Sequence, residues 1–182
     1  MPYLIAAVAL VGALCVLDLI LTFGVIRRLR HHTELLNKRG QSSGPSEKVM
    51  LDAGEEPGDF VATTNVGEQI SKQELVGDTV VGFFTAHCEP CKERVPQYLD
   101  HVATLPGGKD RTLAVVIGND ADSLSLAEQL AAGSRVVMER PGGDVVKAFQ
   151  VTGYPALCVL DGDGRIKASG FKLDEILEKV PA

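Results

Sequence analysis

Cysteine is scarce in this chain. Four in 182 residues, unevenly placed, are too few for a disulfide-stapled secreted scaffold. Histidine is as scarce, with four. Around the pair Cys88 and Cys91 only His87, His101 and Cys158 could complete a ligand set, and no second Cys-x-x-Cys follows. A closed four-ligand zinc site is therefore disfavoured, and no metal or cofactor is expected beyond the cysteine pair itself. Basic residues are lacking where a nucleic-acid face would need them. From residue 40 on there are 13 Lys and Arg against 22 Asp and Glu, a net of −9, which argues against nucleic acid as a partner. Lys and Arg are also absent ahead of the first apolar run, and no clear cleavage site follows it, unlike a removable signal peptide.

That run extends from Tyr3 to Ile26. Its roughly 24 residues, at ~1.5 Å rise each, are long enough to cross a ~30 Å hydrocarbon layer, so residues 3–26 read as one transmembrane helix. Asp18 is costly in lipid and reads as interfacial, paired in a helix bundle, or functional; Cys15, one turn away, reads as inert filler. Arg27, Arg28, Arg30, Lys38 and Arg39 follow the helix, a pattern that places the remainder of the chain in the cytoplasm. Residues 27–57 read as a basic juxtamembrane segment, with His31-His32 as a solvated face, followed by a flexible Gly/Ser/Pro linker. One domain of ordinary size is left, residues 58–182.

The chemistry centres on Cys88-Glu89-Pro90-Cys91. An apolar run, Thr79 to Thr85, enters it as a strand buried on both faces. Val95, Tyr98, Leu99, Val102 and Leu105 leave it at helical spacing. A cysteine at a strand-to-helix corner meets the unpaired N–H groups and positive dipole end of the helix, which favours Cys88 as the attacking sulfur. Cys91 then lies one turn further in, placed to resolve a mixed disulfide. Around this centre the pattern predicts an N-terminal hairpin over residues 60–70 and a Ser71/Glu74 capping box. Strands follow over 112–118 and 135–139, with helices over 121–132 and 144–150. A closing strand and hairpin partner turn at Gly162-Asp163-Gly164, before a last helix from about Leu173. Strands alternating with helices imply an α/β fold with parallel βαβ units. Cys158 reads as a buried strand residue.

Three stretches then resemble the thioredoxin superfamily, specifically the membrane-anchored TlpA-type and MauD-type thiol-disulfide oxidoreductases of the redoxin and alkyl hydroperoxide reductase group. They are Gly58-Asp59-Phe60, the run Phe83 to Cys91, and Gly153-Tyr154-Pro155 with its following apolar strand and Asp161-Gly162-Asp163-Gly164. The resemblance implies a thioredoxin-like fold, a central mixed sheet flanked by helices. It makes Cys88 the attacking residue, Cys91 the resolving one and Pro155 a cis-proline against the dithiol. Gly153, Tyr154 and Pro155 would form the strand-like edge on which an extended substrate pairs. Two positions depart from the family pattern: His87 replaces the usual tryptophan, and Gly82 stands where thioredoxins carry a buried acid. His87, Glu89 and Pro90 are candidates for tuning the couple. An imidazolium favours a thiolate, whereas an acid disfavours it and makes the couple more reducing.

The function so implied is a membrane-tethered oxidoreductase that exchanges its disulfide with client proteins and is recharged by a membrane electron-transfer partner. Its setting would be a single-pass protein of the cell membrane; the family is usually extracytoplasmic, opposite to the side that the basic residues indicate. Two alternatives stand beside it: a peroxiredoxin-like thiol peroxidase using Cys88, and a non-catalytic redox-fold protein holding a partner through Tyr154-Pro155.

Overall fold

The computed structural model describes residues 48–75 and 77–180, together with Gly12. The apolar run at residues 3–26 and the basic segment after it lie otherwise outside the described residues. Among those described, no helix is long and apolar enough to cross a membrane.

From Lys48 onward the described residues form one compact unit around a five-stranded mixed sheet in the order β5-β4-β3-β6-β7. The strands are β3 (Thr79–Phe84), β4 (Thr112–Ile117), β5 (Arg135–Glu139), β6 (Ala156–Leu160) and β7 (Ile166–Gly170). β3, β4 and β5 run parallel, whereas β6 and β7 run antiparallel to their neighbours. A separate hairpin, β1 (Val61–Thr63) with β2 (Gln69–Ser71), matches the N-terminal hairpin read from the sequence. The backbone N–H of Ser71 donates to the Glu74 carboxylate at 3.0 Å, as the capping-box pattern requires.

Helices cover both faces, which is why β3 and β4 are buried at every position rather than at alternate ones. On one face Val80, Phe84, Val116 and Val159 meet α1 (Glu89–Val102), α2 (Ala121–Leu130) and α4 (Leu173–Leu177). Cys91, Val95, Tyr98 and Val102 supply the buried stripe of α1. The opposite face carries Val81, Phe83, Leu113, Val115 and Cys158. It is covered by α3 (Asp144–Ala148) with Phe149, and by Val49, Met50 and Leu51.

Those last three residues move the start of the domain. Composition places a flexible linker as far as residue 57, yet Met50 is 1 % and Leu51 2 % exposed. The segment is a strap pinned along its length: Leu51 N–H donates to Phe149 O at 3.1 Å, Gly54 N–H to Ile166 O at 2.7 Å, and Gly58 N–H to Ala148 O at 2.9 Å. Three apolar residues among polar ones are too short a pattern to register as structure in a sequence.

The structure also explains the missing acid at Gly82. A Cβ there would stand 2.6 Å from Cε2 of Phe84, two residues on and on the same side of the strand, and 3.1 Å from Cδ2 of Leu157. The Phe84 ring, packed edge-on to Tyr98 at 5.2 Å between centroids, occupies the space an acid would need. Gly82→Ala should therefore overpack the sheet and destabilise the fold by ~1–3 kcal/mol, read from the denaturant midpoint. An unchanged midpoint would show that the Phe84 ring is free to move away.

Candidate active site

Cys88 follows β3 by four residues and caps α1 with an extended backbone, φ −107° and ψ 115°. Its carbonyl accepts from the N–H groups of Cys91 at 3.1 Å and Lys92 at 3.3 Å, which closes the first turn and turns Cys91 inward. Pro90 fits in that first turn, where its missing N–H costs no helical bond. The two thiols are thus unequal. Cys88 is half-buried and Cys91 is 1 % exposed, and both are free. Burial, reinforced by the hydrogen bond to Cys88, pushes the Cys91 thiol up to about 12, against a smaller opposing effect of the Thr85 backbone. The Cys158 thiol, buried within β6, is likewise raised by burial and lies outside this pair.

Sheet register brings the second element of the site to the first. β6 pairs antiparallel with β3, Ala156 opposite Phe83, so Pro155 and Tyr154 lie level with the end of β3, where the dithiol begins. The Tyr154–Pro155 bond is cis, as the resemblance implied, and Pro155 is buried. Cys88 Sγ donates to the Tyr154 carbonyl at 3.4 Å. Cys88, Cys91 and Tyr154 therefore form one cluster, with Gly153 and Pro155 on either side of Tyr154 in the chain.

His87 pairs with a partner that the sequence did not suggest. Its Nε2 lies 2.8 Å from Oδ2 of Asp120, and both side chains are exposed. Asp120 caps α2, accepting from the Ser123 N–H at 2.8 Å. Its carboxyl is held down at about 2, first by the His87 hydrogen bond and then by Ser123, while the His87 imidazole is raised, chiefly by that same bond. Asp122 joins them: donor atoms of His87, Asp120 and Asp122 all lie within 4.8 Å of one another. Among the described residues this is the cluster with the spacing to hold a metal ion, although capping and the ion pair already account for Asp120. Glu89 is exposed and pairs with Lys92 at 3.3 Å, so it faces outward from the dithiol.

Sequence reading missed Asp120, Val49 and Phe171. Asp120 had a local signal, an Asn-Asp pair between a strand and a helix with Ser123 three residues on, the pattern of an N-cap. Its contact with His87, 33 positions away, had none. Val49 and Phe171 flank Gly153, and only the fold brings them there.

The chain is similar to known proteins. The chain is 25% identical over 147 residues to "Thiol-disulfide oxidoreductase ResA" of Bacillus cereus, covering 74% of this chain and 82% of that one. It is 23% identical over 114 residues to "Sporulation thiol-disulfide oxidoreductase A" of Bacillus subtilis, covering 61% and 69%. Among solved structures it resembles a thiol:disulfide interchange protein of Chlorobium tepidum, with TM-score 0.55, 20% identity and coverage of 71% and 95%. Similar too is a thiol:disulfide interchange protein from Bacteroides sp., with TM-score 0.55, 18% identity and coverage of 70% and 87%. These likenesses show the thioredoxin-like fold. The Redoxin family model matches residues 52–175, the greater part of the chain including both cysteines and the Tyr154–Pro155 loop, and this protein belongs to the Redoxin family.

Proposed function

We propose that this Redoxin-family chain, a thiol-disulfide oxidoreductase, acts on disulfides of client proteins through Cys88 and Cys91. The observation that carries the reading is the pairing of unequal thiols: a half-exposed Cys88 capping a helix beside the Tyr154 carbonyl, with a buried Cys91 in hydrogen-bond contact behind it. In the reducing direction the Cys88 thiolate attacks one sulfur of a client disulfide. That S–S bond breaks, the first client thiolate leaves, and a Cys88–client disulfide forms. Cys91 then attacks the Cys88 sulfur, its proton goes to solvent, the second client thiolate leaves, and the Cys88–Cys91 disulfide carries away the two electrons' worth of oxidation. Gly153, Tyr154 and Pro155 would hold the client strand. The acid at Glu89 favours this reducing direction, moderated by its pairing with Lys92.

The finer assignment is to the TlpA/MauD type, tethered by residues 3–26 to the cell membrane and recharged there by an electron-transfer partner. The apolar run and the five basic residues after it support the tether. Labelling single introduced cysteines with a membrane-impermeant reagent would place the domain on one side.

Two outcomes follow. With Cys91→Ser, resolution is blocked, so mixed disulfides to Cys88 should accumulate and be recovered on non-reducing gels, and Cys88→Ser should remove them all. A Cys91→Ser protein that traps no client, with insulin reduction unaltered, would contradict the reading. The second concerns His87. Because Asp120 favours its charged form, its folded-state titration lies above its unfolded one. The pair's stabilisation is complete below the unfolded value, and it is lost as pH rises through the raised folded value. NMR titration should therefore give a His87 midpoint above the ordinary ~6.5, and Asp120→Asn should return it toward that value. Equal midpoints in the two proteins would show that the contact does not persist in solution.

A further inference from the structure

Cys91 must lose its proton before it can attack, yet burial pushes that thiol up to about 12. The acceptor is not at position 82, where the Phe84 ring fills the space, nor at exposed Glu89, which pairs with Lys92 at 3.3 Å. Another carboxylate stands at the same end of the sheet. Phe84 pairs with Val116 and Ile117 with Glu139, so Glu139 lies level with the residue that follows β3.

The Glu139 carboxylate is fixed in place. Its Oε1 accepts from the Val145 N–H at 2.9 Å and its Oε2 from the Val146 N–H at 3.1 Å. Each oxygen keeps a second acceptor site, so the group can still take a proton. Gly143 makes room for it: the backbone there has φ −61°, open to any residue, but a Cβ would fall on the Glu139 carboxylate.

Tyr154 borders both the carboxylate and the thiol. Its half-buried ring packs against the core that includes Val137 and Val145 and against the core that includes Cys91. Burial, then the charge of Glu139 and then that of Cys91, raise its phenol, so both groups act on it. Cys88 is the other titratable group that acts on Cys91. Among the described residues the Tyr154 hydroxyl has no hydrogen-bond partner, unlike that of Tyr98, which bonds to Ser134 and Leu113. A hydroxyl left free can accept on one side and donate on the other, directly or through one water.

We infer that the Tyr154 hydroxyl and Glu139 form the relay that carries the Cys91 proton away in the resolving step. The S–H bond of Cys91 breaks as the Tyr154 oxygen takes its proton, and the hydroxyl gives its own proton to the Glu139 carboxylate, which returns it to solvent. The Cys91 thiolate then attacks the Cys88 sulfur, and the second client thiolate leaves. The inference rests on the thiol-disulfide reading and assigns one step within it.

The test uses the reduced full chain carrying Cys15→Ser, mixed with less than one equivalent of dithiobis(nitrobenzoate). Attack by Cys88 releases one coloured thiolate, and attack by Cys91 on the resulting mixed disulfide releases a second, so the two steps are read separately. Tyr154→Phe and Glu139→Gln should each slow the second release relative to the first by ~100-fold at neutral pH, the low end for loss of a general base. The pH profile separates a proton path from a packing role. Second-release rates in the variants should climb ~10-fold per pH unit, as when hydroxide is the base, whereas the wild type stays nearly flat between about pH 6 and 8. Thermal unfolding checks that both variants are folded; Tyr154→Phe keeps the ring and guards against a failure of Glu139→Gln at the start of α3. An unchanged ratio of the two rates, or a wild-type pH profile, in either folded variant would overturn the relay. A wild type that gives no second release would overturn the redox reading and this inference with it.

Discussion

Antiparallel pairing of β6 against β3 is the constraint on which this structure depends. With Ala156 set opposite Phe83, the chain must reach β6 through Tyr154 and Pro155 at the same end of the sheet where β3 hands over to Cys88. The 3.4 Å contact between Cys88 Sγ and the Tyr154 carbonyl is the outcome. A slip of one residue would turn every side chain of β6 to the other face, exposing Leu157 and Val159 to the wrong core, so packing over the whole strand fixes the site. The helices on the two faces then do separate work. α1 buries Cys91 and leaves Cys88 at its cap, while α3 and the strap hold the segment that leads into Tyr154.

Inequality between the two cysteines follows from the same geometry. A Cys-x-x-Cys at the start of a helix places its second sulfur a turn inside, and here Cys91 is part of the stripe with Val95, Tyr98 and Val102 against the sheet. Tyr98 anchors that stripe, its hydroxyl bonded to Ser134 Oγ at 3.0 Å and to Leu113 O at 3.3 Å. Burial therefore raises Cys91 as part of making the core. No carboxylate stands at position 82 to accept its proton, because the Phe84 ring fills that space. Charge at the mouth of the site is instead carried by exposed groups, the His87–Asp120 pair and the Glu89–Lys92 pair, where solvent screens them.

Much of this was legible in the sequence because it rests on short, strongly patterned segments. The mostly apolar run of β3, the helical spacing after Cys91, and Gly153-Tyr154-Pro155 before an apolar strand each carry a local signal. The spacing alone implied parallel βαβ units, and the family resemblance that these stretches carry implied the mixed sheet and the proline set against the dithiol. What stayed hidden was non-local or unpatterned. Val49, Met50 and Leu51 are buried by the fold while sitting in polar sequence, so the strap read as linker. Asp120 reaches His87 across 33 positions, and one sequence carries no trace of such a meeting. Gly82 read as a missing acid, and only the packed ring of Phe84 shows that an acid would not fit there. The apolar run at residues 3–26 lies, Gly12 apart, outside the described residues, and its reading as an anchor comes from its length, its hydropathy and the basic residues that follow it.

The central claim is that Cys88 and Cys91 act as one two-electron couple. Its most direct measurement is a redox titration of the full chain in dithiothreitol or glutathione buffers, quenched by alkylation and read by mass spectrometry at each cysteine. The account predicts that Cys88 and Cys91 lose reactivity together in a single transition, with Cys158 unlabelled in the folded protein throughout, and that Cys91→Ser abolishes the transition. Independent oxidation of Cys88, with Cys91 remaining a free thiol across the range, would contradict it.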